Sequence, residues 1–192
     1  METVLDFLRY SPFEYNMPVA VVSLIYGVFW FIVYNMYTLW HINDIGKDNR
    51  KIKILPPSIS QTYYMIDVRW LFQMFMYSSI FSIICIGQSA LYVIVGVMFT
   101  VMTVNPSVNS GNKFLIPHMI GAVSAITLGL LGLAVCFFSW NIVALLVIIA
   151  GFDIFTVIQC KRSGDEHMVY YIELISLSGL MVGFLTAIIE KF

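Results

Sequence analysis

Two carboxylates stand inside long apolar runs, Asp153 in "IIAGFDIFTV" and Glu173 in "VYYIELISLS". A charged side chain at the centre of a bilayer costs about 2.5–3.5 kcal/mol on insertion scales, so such groups face a bundle interior or a wet cavity. There they handle protons or cations, orient a ligand, or accept hydrogen bonds from neighbouring hydroxyls. Three histidines form a second set: His41, His118 and His167 each sit at the edge of an apolar run. Three imidazoles beside carboxylates are a donor set for zinc with an open position for water. No HxxxH spacing brings them together, and histidines at span ends also serve simply as interface residues. A third feature is "LPPSISQTYY", in which Ser58 and Ser60 are candidate nucleophiles. A serine of that kind needs a base and an oxyanion hole, which spacing alone does not supply. Just upstream, "GKDNRKIK" gathers Lys47, Arg50, Lys51 and Lys53. Beside a membrane, such residues are drawn to anionic headgroups at about 1 kcal/mol each, and they also set topology.

The elements that must position these groups follow from composition. Of 192 residues, 60% are hydrophobic and 11% charged, and the mean hydropathy is +0.88. Soluble domains carry about a quarter charged residues. Here long apolar stretches alternate with short charged ones, which reads as a polytopic membrane protein. A net charge of −1 with no basic stripe beyond one loop gives no sign of nucleic acid as a partner, and none is expected. Cys85, Cys136 and Cys160 are odd in number and far apart in apolar runs. They read as small packing residues rather than a disulfide framework or a metal set. The N-terminal stretch "METVLDFLRYSPFEYN" lacks the basic start and the cleavage site of a signal peptide. It is expected to form a short interfacial helix with Leu5, Phe7 and Leu8 dipping into the headgroups.

The pattern predicts six spans, over residues 17–40, 70–86, 89–104, 118–138, 141–160 and 168–189, in one transmembrane domain covering 1–192. The first, Met17–Trp40, is free of charge and long enough to cross with some tilt. His41 to Arg69 is polar and basic, and its paired prolines argue for extended chain. Trp70–Val104 runs 35 residues without a formal charge. As one helix it would be about 52 Å long, too long for a bilayer. A hairpin turning at Gly87-Gln88-Ser89 resolves this. Asn105–Pro117 is a loop rich in breakers, Ser139-Trp140-Asn141 a tight turn, and Lys161–His167 a charged loop.

Six spans place both termini on one side, called side A. The three longer loops fall on side B, with eight of the ten basic residues: Lys47, Arg50, Lys51, Lys53, Arg69, Lys113, Lys161 and Arg162. The excess predicts that side B, including loop 41–69, is cytoplasmic and that the termini lie outside. Trp40, Trp70 and Trp140 mark predicted interfaces. Gly121, Ala125 and Gly129 repeat every four residues, and Gly179 and Gly183 form a GxxxG, so both stretches predict close helix packing.

Two of these stretches together resemble a known family. "LPPSISQTYY", followed by a span opening "WLFQMF", looks like the first-loop motif of the DRAM/Frag-type six-helix membrane proteins and their bacterial relatives. "HMIGAV" looks like that family's His-x-x-Gly-Ala at the head of span four. Gln61 and Thr62 stand where the family has an acidic residue and a glycine. The resemblance implies a lipid-related role without an enzyme mechanism. It also implies cytoplasmic termini, opposite to the charge count.

These observations together predict an all-α integral membrane protein, a six-helix transmembrane bundle with tight turns on one side and longer loops on the other. The leading functional expectation is non-catalytic: a polar pocket on side B recognising a lipid headgroup or a membrane partner. Its ligand-binding residues would be His118, Asp153, Glu173, Ser58, Ser60 and His41, with Lys47, Arg50, Lys51 and Lys53 touching headgroups. No catalytic residue, metal ligand or cofactor is assigned. The expected partners are membrane lipid and a second copy or another membrane protein. Two alternatives stay open. One is a lipid hydrolase using His-bound metal or a Ser–His pair. The other is an oligomeric channel, transporter or membrane subunit of a larger complex.

Overall fold

A computed structural model describes residues 2–11, 14–48, 59, 68–104, 115–164 and 168–191. These residues fold into seven helices: α1 (Glu2–Arg9), α2 (Met17–Asp48), α3 (Arg69–Gly87), α4 (Ala90–Val104), α5 (Leu115–Cys136), α6 (Trp140–Ser163) and α7 (Met168–Lys191). Five of them, α2, α3, α5, α6 and α7, contain stretches long and apolar enough to cross a membrane. The chain is therefore a polytopic membrane protein. Helix α4 is apolar but has only 15 residues, about 22 Å of rise against a hydrocarbon core of about 30 Å.

The charge-free run breaks where the turn residues lie. Gln88 caps α3 in the left-handed region, at φ 46°, and its N–H bonds the Ile84 carbonyl. That conformation is unfavourable for a side chain with a Cβ. The Gln88 amide compensates by clasping Asn16, accepting from its N–H at 2.7 Å and donating to its carbonyl at 2.9 Å. Gly87 lets the turn close: a Cβ there would lie 2.1 Å from the Tyr92 ring. At the α5–α6 turn, the Ser139 hydroxyl accepts the Ile142 N–H at 3.2 Å and caps α6. Gly164, at φ 70°, closes its other end.

Several boundaries differ from those read in the sequence. Helix α2 continues past Trp40 and His41 to Asp48. Nothing from His41 to Asp48 obstructs helix except Gly46, and the first proline comes only at Pro56. Lys47 therefore lies on helix rather than loop. Helix α5 begins at Leu115, so Pro117 is its third residue. Proline is tolerated there because the first-turn N–H groups have no partner within the helix. Lys161 and Arg162 belong to the last turn of α6, where they complement the helix dipole.

The helices pack in a closed circuit, α2 on α3, α3 on α4, α4 on α5, α5 on α7, and α7 back on α2. Helix α6 lies outside the circuit, mainly against α7 and only lightly against α5. Its apolar surface is correspondingly open, with Val147, Phe152, Ile154 and Phe155 all exposed. Small residues set the separations. A Cβ at Gly121 would lie 2.9 Å from the Met102 nitrogen and the Met98 carbonyl oxygen, so α4 and α5 meet backbone to backbone. Ala125, one turn on, is fully buried. Gly179 receives Ile149 of α6 and Gly183 receives Leu133 of α5, so the GxxxG of α7 packs within the chain. Aromatic rings fill the interior: Tyr34 stacks on Phe75 with centroids 4.5 Å apart, and Phe184 packs against both Tyr92 and Phe137.

The N-terminal segment fastens one end of the bundle. Helix α1 packs against α4 and α5. The Arg9 guanidinium donates to the Val135 carbonyl at 2.7 Å, and the Tyr10 carbonyl accepts the Ala90 N–H at 2.9 Å. Leu5 and Leu8 are half-buried, whereas Val4, Phe7 and Tyr10 are exposed. The exposed large apolar side chains here are thus Val4, Phe7 and Tyr10, so of the expected Leu5, Phe7 and Leu8 only Phe7 is open. Partial burial pushes the Tyr15 phenol up to about 12, so that ring stays neutral. The Lys191 ammonium lies over it, 3.7 Å from the centroid, as a cation–π contact.

Candidate functional site

Glu173 lies on the first turns of α7 and is buried. Its Oε2 accepts the backbone N–H of Ile59 at 2.6 Å. Ile59 comes from the middle of Ser58-Ile59-Ser60 and is itself buried. A carboxylate inside the bundle therefore holds Ile59 by its backbone. Beside this contact lies a cavity of about 20 Å³ lined by Ile59, Glu173, Met102, Phe99, Ser79 and Phe75 among others. That volume is enough for one water molecule. The Ser79 hydroxyl donates to the Phe75 carbonyl at 2.8 Å.

His118 lies on the first turns of α5 and is 2% exposed. Its Nδ1 is 3.2 Å from the carbonyl oxygen of Met102, near the end of α4. A carbonyl can only accept, so Nδ1 carries the proton in this contact. The imidazole thereby satisfies a carbonyl that the last turn of α4 would otherwise leave unpaired. Because Gly121 draws the same two helices together, the histidine and the glycine serve one helix junction.

Asp153 lies near the middle of α6. Its Oδ2 accepts the Ser176 hydroxyl of α7 at 3.2 Å. Its Oδ1 is enclosed and has no hydrogen-bond partner among the described residues. Ser176 is three residues beyond Glu173, so Asp153 is about one turn, or 4.5 Å, deeper. His41 is half-buried and stacks on Tyr37, with centroids 5.8 Å apart and planes within 7°.

Among the described residues, the cavity that Glu173 lines does not include the other three site residues. His118 and Asp153 are each linked to it through an intermediary. Met102 gives its carbonyl to His118 and also lines the Glu173 cavity. Ser176 bonds Asp153 and lies on the turn of α7 after Glu173. Ser58, Ser60, Arg50, Lys51, Lys53 and His167 lie outside the described residues, as does the side chain of Lys47. Among the described residues no three His, Cys, Asp or Glu side chains gather as a metal-binding group. Among the described residues Cys85, Cys136 and Cys160 form no disulfide, and Cys136 Sγ lies 3.4 Å from the Ser89 hydroxyl.

Sequence reading passed over Ile59, Met102 and Ser176. Ile59 and Met102 act through backbone groups, which leave no trace in residue type. Ser176 had a signal, its position three residues after a buried acid on the same side of a helix. Comparison with protein-family models, with curated proteins and with solved structures finds no match for this chain.

Proposed function

We propose that this chain is a six-span membrane protein that recognises an anionic lipid headgroup at its loop-rich end, without catalysis. One observation carries the reading: Glu173 binds the backbone of Ile59. Ile59 follows the basic residues Lys47, Arg50, Lys51 and Lys53 in sequence, so fixing it would keep four cations near the membrane surface. Glu173 is the anchor in this reading and His118 the brace of the adjoining helix junction. Asp153 fixes α6 on α7. The sixth crossing is made by α4, with local thinning of the bilayer around its short span. The charge distribution favours a cytoplasmic loop-rich end. The resemblance to the DRAM/Frag-type proteins agrees with the lipid role and opposes that orientation.

Titration of delipidated protein, followed by native mass spectrometry, tests this. Phosphatidylserine should be retained in preference to phosphatidylcholine. Replacing Lys47, Arg50, Lys51 and Lys53 by Gln should abolish the preference. The triple change of His118, Asp153 and Glu173 to Ala should lower retention of both lipids. Equal retention of the two lipids by the unaltered protein overturns the proposal.

A further inference from the structure

A second lipid-facing feature lies between α2 and α3, toward the opposite end of the bundle. It is a lateral groove of about 430 Å³, lined by Val22, Ser23 and Tyr26 of α2 and by Met74, Tyr77, Ser78 and Phe81 of α3. Its volume falls within the range of small-molecule sites, about 300–1,000 Å³. Four hydroxyl-bearing residues line it: Ser23, Tyr26, Tyr77 and Ser78. Ser23 and Ser78 are each 4% exposed. The Ser78 hydroxyl donates to the Tyr26 phenol at 3.2 Å, which leaves the phenolic proton to be donated onward. Tyr26 also meets Phe81 edge to face, with centroids 6.4 Å apart. These residues lie about 9–15 Å along their helices from the ends nearest the N-terminal segment.

These features select a ligand. None of the described lining residues is charged, so a phosphate or ammonium group finds no counterion. A hydroxyl facing hydrocarbon seeks a partner, because lipid tails offer none. A ligand that brings a neutral oxygen able to accept from Tyr26 fits this groove. The walls are flat aromatic rings, which suit a flat apolar body. A rigid fused-ring body also loses less conformational freedom on binding than a flexible acyl chain.

We propose that this groove binds a neutral membrane lipid of the sterol type, a rigid ring system with a single hydroxyl, whose oxygen accepts from Tyr26. The site is independent of the headgroup reading at the other end.

Full-length protein in phosphatidylcholine nanodiscs, photolabelled with a ring-diazirine sterol, tests the proposal. Labelling should be saturable, map to α2 and α3 around Tyr26 and Phe81, and be displaced by unlabelled sterol. Tyr26→Phe keeps the ring and removes the donor, and should weaken apparent affinity about fivefold to tenfold. Val22→Trp fills the groove from its lipid-exposed side and should abolish saturable labelling. Replacing Lys47, Arg50, Lys51 and Lys53 by Gln should leave it unchanged, which separates this site from the headgroup reading. Equal labelling of the same residues by an acyl-chain diazirine phospholipid overturns the proposal. So does sterol labelling that withstands Val22→Trp, or an affinity unaltered by Tyr26→Phe.

Discussion

Glu173 illustrates how a single buried acid is used here. Its Oε2 faces a backbone N–H that has left water, and losing that acceptor would strand the donor. An unsatisfied buried donor costs about 1–3 kcal/mol. Glu173→Ala should therefore destabilise the protein by about 2 kcal/mol, whereas Glu173→Gln, which keeps a carbonyl oxygen in reach, should cost less than about 1 kcal/mol. Unfolding in mixed detergent micelles measures both. Equal stability of all three proteins would show that the carboxylate does not hold Ile59. Residue type marked Asp153, Glu173 and His118 as groups that need partners, without naming the partners. An acid within an apolar run signals a partner, but the partner of Glu173 is a main-chain group more than a hundred residues away in sequence.

At the scale of the helix, close approach is decided by where glycine faces a neighbour. Gly121 and Gly151 are both helical glycines on membrane-crossing helices, yet their surroundings are opposite. A Cβ at Gly121 would meet backbone atoms at 2.9 Å, and backbone cannot swing aside as a side chain can. A Cβ at Gly151 would meet nothing within 4 Å. Gly121→Ala should cost about 1–3 kcal/mol through forced separation of α4 and α5. Gly151→Ala should be neutral or stabilising by up to about 1 kcal/mol, from helix propensity. The same unfolding measurement ranks them. The reverse order would mean that α6 has a close neighbour at Gly151 and that the α4–α5 contact is looser. The four-residue repeat of small residues predicted close packing for Gly121, Ala125 and Gly129. It did not say against which helix.

At the scale of the whole molecule, the circuit of α2, α3, α4, α5 and α7 with α6 outside sets α7 against three helices, α2, α5 and α6. Ser176 and Gly179 therefore meet α6, and Gly183 meets α5. Orientation and the crossing of α4 are read by accessibility. In a background lacking Cys85, Cys136 and Cys160, Glu14→Cys should react with an impermeant maleimide in intact cells. Asn112→Cys and Asp165→Cys should react only after permeabilisation. The inverted pattern would favour the orientation implied by the family resemblance. Like reaction of Glu14→Cys and Asn112→Cys would mean that α4 does not complete a crossing.

The sequence by itself determined the class of the protein and nearly all its helices. Both depend on local quantities: the length of each apolar run against the thickness of a bilayer, and the breakers between runs. The turn at Gln88-Ser89 and the cap at Ser139 were legible for that reason. Tertiary structure alone decided which helices are neighbours, that α6 stands outside, and that Glu173, His118 and Asp153 bind Ile59, Met102 and Ser176 rather than one another. The physical reason is that a membrane helix is apolar on its lipid face as well as on its packed face. Periodicity, which marks the buried side of a helix in water, then says little about which way each side chain turns.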